Sequence, residues 1–155
     1  MIQLITRELI EQTARRAADS PRRRTNHNFH QSAADNPHRF LNVLLQGTYC
    51  QPHRHLNPPK SETFLVIEGR AVVFLFDDAG KVTARHEIGD APCPALGIDI
   101  APGIWHTVAA LTARVTCFEV KPGPWDPSTD KDFASWAPRE GDLEAVAYLD
   151  RLLHP

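Results

Sequence analysis

No stretch of this sequence approaches the roughly 20 consecutive apolar residues that a membrane-spanning helix needs, so no membrane partner is expected. Cysteine is scarce. The three present, Cys50, Cys93 and Cys117, are an odd number without the spacing of a disulfide framework, which favours a reducing, cytoplasmic setting. The stretch Met1-Ile2-Gln3-Leu4-Ile5-Thr6-Arg7-Glu8 lacks the basic start and apolar run of a secretory signal. An excess of one charge is missing too: the formal net charge of -2 gives no general reason to expect nucleic acid. One short helix followed by an arginine run is not a helix-turn-helix. Internal repeats and low-complexity tracts are absent. What remains is a globular composition of 155 residues, enough for one structural domain with a real hydrophobic core.

Residues 1–39 read as a helix followed by a segment folded over a pocket mouth or a linker. From Thr6 to Asp19, Leu9, Ile10, Thr13, Ala14 and Ala17 form an apolar stripe, with Thr6 as N-cap and Ser20-Pro21 as the stop. Arg22 to Asn36 shows no period. Residues 40–121 change character: short runs of Val, Ile, Leu and Phe alternate with Gly, Pro and Asp turns, the pattern of an all-β barrel or sandwich. Strands are expected at Phe40–Leu45, Thr48–His53, Glu62–Glu68, Arg70–Asp77, Val82–Ile88, Leu96–Ile100, His106–Ala110 and Arg114–Lys121. Asp77-Asp78-Ala79-Gly80 reads as a hairpin turn and Gly69 as a tight bend. Residues 122–155 are a turn-rich tail and a helix from Asp142, its N-cap, to Leu153. The apolar face of that helix packs on the barrel or on a second copy in a homodimer.

The chemistry is concentrated in His53-Arg54-His55. Histidines at i and i+2 of a strand point to one side, because side chains alternate faces with a period of two. Glu62 and His106, arriving from elsewhere, would complete three nitrogens and one oxygen, a set suited to a divalent transition metal with positions left open. Cys50 has the opposite parity to the histidines and reads as a small buried hydrophobe.

The order Gly47, His53-x-His55, Glu62, Gly69 and then Pro102-Gly103-Ile104-Trp105-His106 resembles the two motifs of the cupin superfamily. A narrower resemblance, to the WbuC-type cupin-fold metalloproteins, runs from about Leu4 to Gly141. It is carried by Arg22-Arg23-Arg24, Asn28-Phe29-His30, Leu41-Asn42, Gly47-Thr48-Tyr49, Pro52-His53-Arg54-His55, Pro58-Pro59-Lys60 and Phe76-Asp77-Asp78. Trp105-His106-Thr107, Gly123-Pro124-Trp125-Asp126-Pro127 and Thr129-Asp130-Lys131 belong to it too. The resemblance implies a double-stranded β-helix, the jelly-roll barrel of the cupins, with an N-terminal and a C-terminal helix. It implies His53, His55, Glu62 and His106 as ligands of Zn, Fe, Ni or Mn, in a bacterial family often associated with surface-polysaccharide (O-antigen type) biosynthesis. The Leu56–Ser61 insertion makes the interval before Glu62 longer than in the motif, so a longer loop is expected at the metal rim.

Around such a centre, Glu119 is a candidate general base if its strand face is the barrel interior, or a solvated edge residue if not. Tyr49 and Trp105 either stack on a sugar or fill the core; Tyr49 is carried as a second catalytic candidate. Arg22, Arg23 and Arg24 are either a solvated surface or, with Asn28 and His30, a forked clamp for a phosphate or carboxylate. Arg54 and Lys60 join them as candidate substrate-binding residues, although Arg54 alternates away from the histidines. The expected ligand is a small molecule, an anionic sugar among the candidates. The functional readings are a metal-dependent isomerase, epimerase, lyase or dioxygenase, and a non-catalytic binding or sensing module.

Overall fold

The computed structural model describes residues 2–155. Helix α1 spans Arg7–Asp19; the Thr6 side chain accepts from the Leu9 amide at 3.1 Å, satisfying one orphan donor of the first turn. Ten strands follow: β1 Arg24–Asn28, β2 His38–Leu45, β3 His53–Arg54, β4 Glu62–Glu68, β5 Arg70–Phe76, β6 Val82–Gly89, β7 Gly97–Ile100, β8 Trp105–Ala110, β9 Arg114–Lys121 and β10 Asp132–Phe133. Helix α2, Glu144–Leu153, closes the order.

The strands form two antiparallel sheets, β1-β2-β9-β4-β7 and β10-β3-β8-β5-β6. Without the two outermost additions, β1 and β10, successive strands from β2 to β9 are shared between two four-stranded layers in jelly-roll order, the double-stranded β-helix of the cupins. The layers enclose a core of Leu44, Phe64, Val66, Val73, Ile100, Val108 and Val115, with Cys50 and Cys117 buried among them. Helix α1 covers the outer face of the first sheet, where Ile10 meets Phe29 and Leu41, and Ala14 and Ala17 meet Val43. That is why β2 is buried on both faces and lacks a polar alternation. Helix α2 seats Ala145 and Leu149 against the outside of the second sheet, beside Val72, Phe74 and Phe76.

Three expectations need correction. Residues 24–28, without visible period, form β1, hydrogen-bonded along β2 from Arg24↔Leu44 to Asn28↔Phe40. Its polar side chains border a polar cavity, so main-chain pairing with β2 holds it without a hydrophobic alternation to announce it. The strand expected over Thr48–His53 shrinks to His53–Arg54. Before it, Pro52 has no N–H, and the Cys50 carbonyl accepts from the Thr107 hydroxyl at 2.6 Å instead of a ladder amide. Asp142 does not cap α2; Leu143 occupies the N-cap without a side-chain bond, and the Asp142 carboxylate accepts from the Arg139 amide at 2.8 Å.

Two turns place the site. Gly69, at φ 80°, joins β4 to β5 so tightly that a Cβ there would lie 2.2 Å from the Arg114 carbonyl oxygen. Gly103, at φ 81°, donates its amide to the His55 carbonyl at 3.0 Å and sets the entry of β8. Substituting Gly69→Ala combines a left-handed backbone with that clash, so unfolding free energy in urea should fall by more than about 1 kcal/mol.

Candidate metal centre

The barrel interior is divided along its length. Strand β9 carries Val115 and Cys117, then Glu119 and Lys121, all buried at one parity. Strands β4 and β8 run the other way through the same boundary, with Glu62 before Phe64 and Val66, and His106 before Val108 and Ala110. One end is therefore packed hydrocarbon and the other a ring of buried polar side chains. Register delivers the histidines: His53 of β3 pairs with His106 of β8.

His53, His55, Glu62 and His106 each aim one donor atom at a common point, and these four atoms lie within 4.8 Å of one another. All four residues are buried. Behind each imidazole stands a main-chain carbonyl: Gln51 O at 3.0 Å from His53 Nδ1, Ile104 O at 2.8 Å from His106 Nδ1, and the Asp130 carbonyl at His55 Nδ1. A carbonyl only accepts, so each Nδ1 carries the hydrogen and, in a neutral ring, Nε2 is a bare lone pair. The Nε2 atoms of His53 and His55 have no hydrogen-bond partner although buried. That of His106 faces Glu62 Oε2 at 3.0 Å, and that of His55 lies 3.6 Å from Glu62 Oε1. Lone pairs opposed to a carboxylate require a cation between them, and the residues fit a metal ion. The carbonyl contacts also lock each ring's tautomer and aim.

Burial, then the Lys131 ammonium, pushes the His53 imidazole well below its ordinary pKa, which keeps it neutral. Burial drives the Glu62 carboxyl up, but the facing imidazoles of His106 and His55 and the charge of Lys121 outweigh it and hold Glu62 well below the usual carboxylate range. Glu119, buried beside Glu62, goes the other way: burial, then the Glu62 charge, raises it far above that range. Its Oε2 accepts from Asn42 Nδ2 at 2.8 Å. Glu119 thus faces the interior rather than an edge.

The insertion before Glu62 is anchored. Lys60 is buried, and its Nζ donates to Asp130 Oδ1 at 3.0 Å and to the Pro124 carbonyl at 2.6 Å. Lys121 Nζ takes the other Asp130 oxygen at 2.9 Å and lies 3.8 Å from Glu62 Oε1. The Leu56–Ser61 loop is thereby tied down just before β4 begins, and Glu62 enters its strand facing His106.

Above the four residues opens a cavity of about 1260 Å³, bordered by β1 and the segment after it on one side and by the tail on the other. Asn28 and His30 line it, as does Glu119. The other proposed contacts lie differently. Tyr49 is directed away, its hydroxyl donating to the Pro138 carbonyl at 2.8 Å and its ring set against Tyr148. Arg54 points outward, as its parity requires, stacking 4.2 Å from the Trp105 ring centroid and pairing with Asp132 at 2.8 Å. Lys60 is sealed behind the wall. Arg23 donates to the Gln46 carbonyl at 3.1 Å outside the cavity. Arg22 and Arg24 do border it, but both are paired to Glu140, and Arg24 also donates to the Tyr49 carbonyl at 2.9 Å. Their forks staple β1 to the tail.

Sequence reasoning gave no site role to Lys121, Asn42, Asp130, Lys131 or Glu140, although Asn42, Asp130 and Lys131 stand in segments that carry the WbuC-type resemblance. The parity that singled out Glu119 extends two residues further to Lys121; Glu140 gave no local signal, since its arginine partners are remote in sequence.

A family model described as a domain of unknown function, DUF6016, matches residues 5–88, more than half of the chain. The chain belongs to the DUF6016 family. Among curated proteins none matches it. Solved structures similar to this DUF6016 protein include the capsular polysaccharide assembling protein CapF from Staphylococcus aureus, 17% identical over 70% of this chain with a TM-score of 0.54. A CapF structure with the inhibitor 3-isopropenyl-tropolone is 22% identical over 68% of this chain, again with a TM-score of 0.54. The DUF6016 chain spans only 34% and 30% of those two longer chains. The protein TT1209 from Thermus thermophilus is 18% identical over 73% of this chain and 92% of its own, with a TM-score of 0.53. These likenesses carry the fold.

Two predictions rest on the wiring around the site. Burial pushes Glu140 up, but Arg24 and Arg22 outweigh it and lower its carboxyl below the ordinary 4.5. A depressed carboxylate stabilises the fold above its unfolded pKa and loses that contribution as pH falls through the folded value. Urea titrations of wild type and Glu140→Gln should therefore differ by about 1–2 kcal/mol near neutrality and converge in acid. Lys60→Met removes one of two cations from a buried carboxylate; about 3 kcal/mol of stability should be lost in the same assay.

Proposed function

We propose that this DUF6016 protein is a metal-dependent enzyme acting on a small polar, sugar-like molecule, with a divalent transition ion held by His53, His55, Glu62 and His106. One observation carries the reading. Three buried imidazoles have their Nδ1 hydrogens committed to carbonyls while their Nε2 atoms converge with a carboxylate on one point at the cavity floor. Three nitrogens and one oxygen suit Zn, Fe, Ni or Mn. Bound there, such an ion would polarise a substrate oxygen or acidify a water.

The chain's own groups supply the rest. The imidazoles and Glu62 come from β3, β4 and β8 and the backbone beside them, so the cavity side of the cluster stays open to a ligand. Asn26, Asn28 and Gln31 offer amides to hydroxyl groups, and Trp125, 44% exposed at the rim, offers a flat apolar face. Glu119, steadied by Asn42, presents a buried carboxyl to the same space, the position for a group that moves a proton. A sugar-like substrate accords with this amide-and-indole lining. Surface-polysaccharide biosynthesis is the setting suggested by the sequence resemblance to WbuC-type proteins and the fold shared with a capsular polysaccharide assembling protein. Three free cysteines favour a cytoplasmic location.

Elemental analysis of protein purified without added metal is the direct test. Wild type should carry about one ion per chain, His53→Ala and His106→Ala almost none, and Glu119→Gln the wild-type content, because Glu119 lies outside the converging set. A wild-type protein that holds no stoichiometric metal under any loading condition would overturn the reading.

A further inference from the structure

The cationic side chains around the cavity divide into those with an internal partner and those without. Arg22 and Arg24 are committed to Glu140, and Lys121 to Asp130 and Glu62. The two imidazoles at the rim are committed as well, His38 Nε2 to the Ala33 carbonyl and His30 Nδ1 to the main chain of Arg39. Two cations remain. Lys131 and Arg139 both line the cavity, and among the described residues neither ammonium nor guanidinium makes a hydrogen bond or an ion pair with any protein group.

Lys131 is placed by the register of the tail on the metal-side strand. Asp132 pairs with Arg54 and Phe133 with His53. Asp132 turns outward to meet the Arg54 guanidinium, whereas Phe133, itself half exposed, lines the cavity with its ring 6.0 Å from that of His53. Lys131 shares the parity of Phe133 and, one step along the antiparallel register, stands opposite His55. The preceding residue, Asp130, gives its carbonyl to His55 Nδ1, so the backbone bearing Lys131 is pinned to the ligand cluster itself.

A half-buried lysine held toward a cationic centre with no counter-charge is costly unless something negative joins it. The protein does not provide that charge. Asp130 is shared between Lys60 and Lys121, and Glu140 is taken by two arginines. Arg139, exposed to solvent where it lines the same cavity, adds a fork with the geometry for a planar or tetrahedral oxyanion.

We propose that Lys131 and Arg139 form an oxyanion subsite beside the metal centre, which selects ligands bearing a carboxylate or a phosphate on a small polyhydroxylated frame. The anion clamp is thus supplied by the tail, not by Arg22-Arg23-Arg24, whose side chains are committed to protein groups. This subsite deepens the proposed function and rests on it only for the identity of the neighbouring ion.

Calorimetric titration of the full-length protein tests it, with glucuronate, glucose 6-phosphate, inorganic phosphate and neutral glucose as probes, after the metal content of every variant has been measured. Metal-loaded wild type should bind glucuronate or glucose 6-phosphate in the millimolar range or tighter, and neutral glucose at least about tenfold more weakly, the effect of one charge-assisted contact. Lys131→Met and Arg139→Gln should each lose about tenfold in that affinity with metal content unchanged, and Lys131→Arg should restore most of it. Preference between the carboxylate and phosphate probes assigns the source of the oxyanion, and binding of inorganic phosphate alone with the same dependence on Lys131 also supports the subsite. Chelated, metal-free protein that still binds the anions through Lys131 would also uphold the subsite, because Lys131 lies outside the four converging donors. Undiminished binding by both variants at full metal content would overturn the subsite and leave the metal centre standing, as would the absence of binding of every anionic probe to metal-loaded wild type.

Discussion

The carboxylate of Asp130 is the point on which the site depends. One oxygen takes Lys60, from the loop before β4; the other takes Lys121, at the end of β9; and its own carbonyl takes His55. The stretch from His55 to Lys60 and the end of β9 are thereby joined to the tail behind the converging donors. Buried charges cost several kcal/mol each unless they are paired and hydrogen-bonded, so this cluster forms only when all its members arrive together. Burial works to raise Asp130, and Lys121 and Lys60 reverse it, leaving the acid ionised.

Around that anchor the barrel performs two tasks along one axis. Its hydrocarbon end supplies cohesion, with Phe64, Val66, Val108 and Val115 meeting between the sheets. That cohesion offsets what it costs the polar end to keep Glu62, Glu119, Lys121 and three imidazoles out of water. Donors mounted on paired strands, each ring fixed by a carbonyl at its rear, hold their aim better than donors on a loop would. The two carboxyls then differ by environment alone: imidazoles and an ammonium pull Glu62 below the usual carboxylate range, while burial and the Glu62 charge push Glu119 above it.

Much of the barrel was legible because its strands are strongly patterned. From β4 to β9 the apolar runs fall between Gly, Pro and Asp turns, and the strands lie within a residue or two of where those runs predict them. His53, His55, Glu62 and His106 were legible as a group through spacing and motif, and the structure brings them together. Strand β1 was not, because a strand bordering a polar cavity carries polar side chains and owes its order to main-chain pairing with β2. Arg22-Arg23-Arg24 looked like a clamp because a sequence displays charges without their partners. Glu140, which neutralises two of the three, lies more than a hundred positions away.

The sequence by itself determined which residues could meet: alternation with a period of two puts His53 and His55 on one face and Arg54 on the other, and Gly69 and Gly103 supply the left-handed backbone of two bends, the first of which has no room for a side chain. Tertiary structure alone decided which charges are paired and which remain free. Pairing energy belongs to contacts between distant strands and the tail, and a local pattern holds no record of a partner that only folding brings within about 3 Å. Lys121 became part of the wall, Lys60 a tether and Tyr49 a prop for Pro138, while Lys131 and Arg139 were left facing the cavity without a counter-charge.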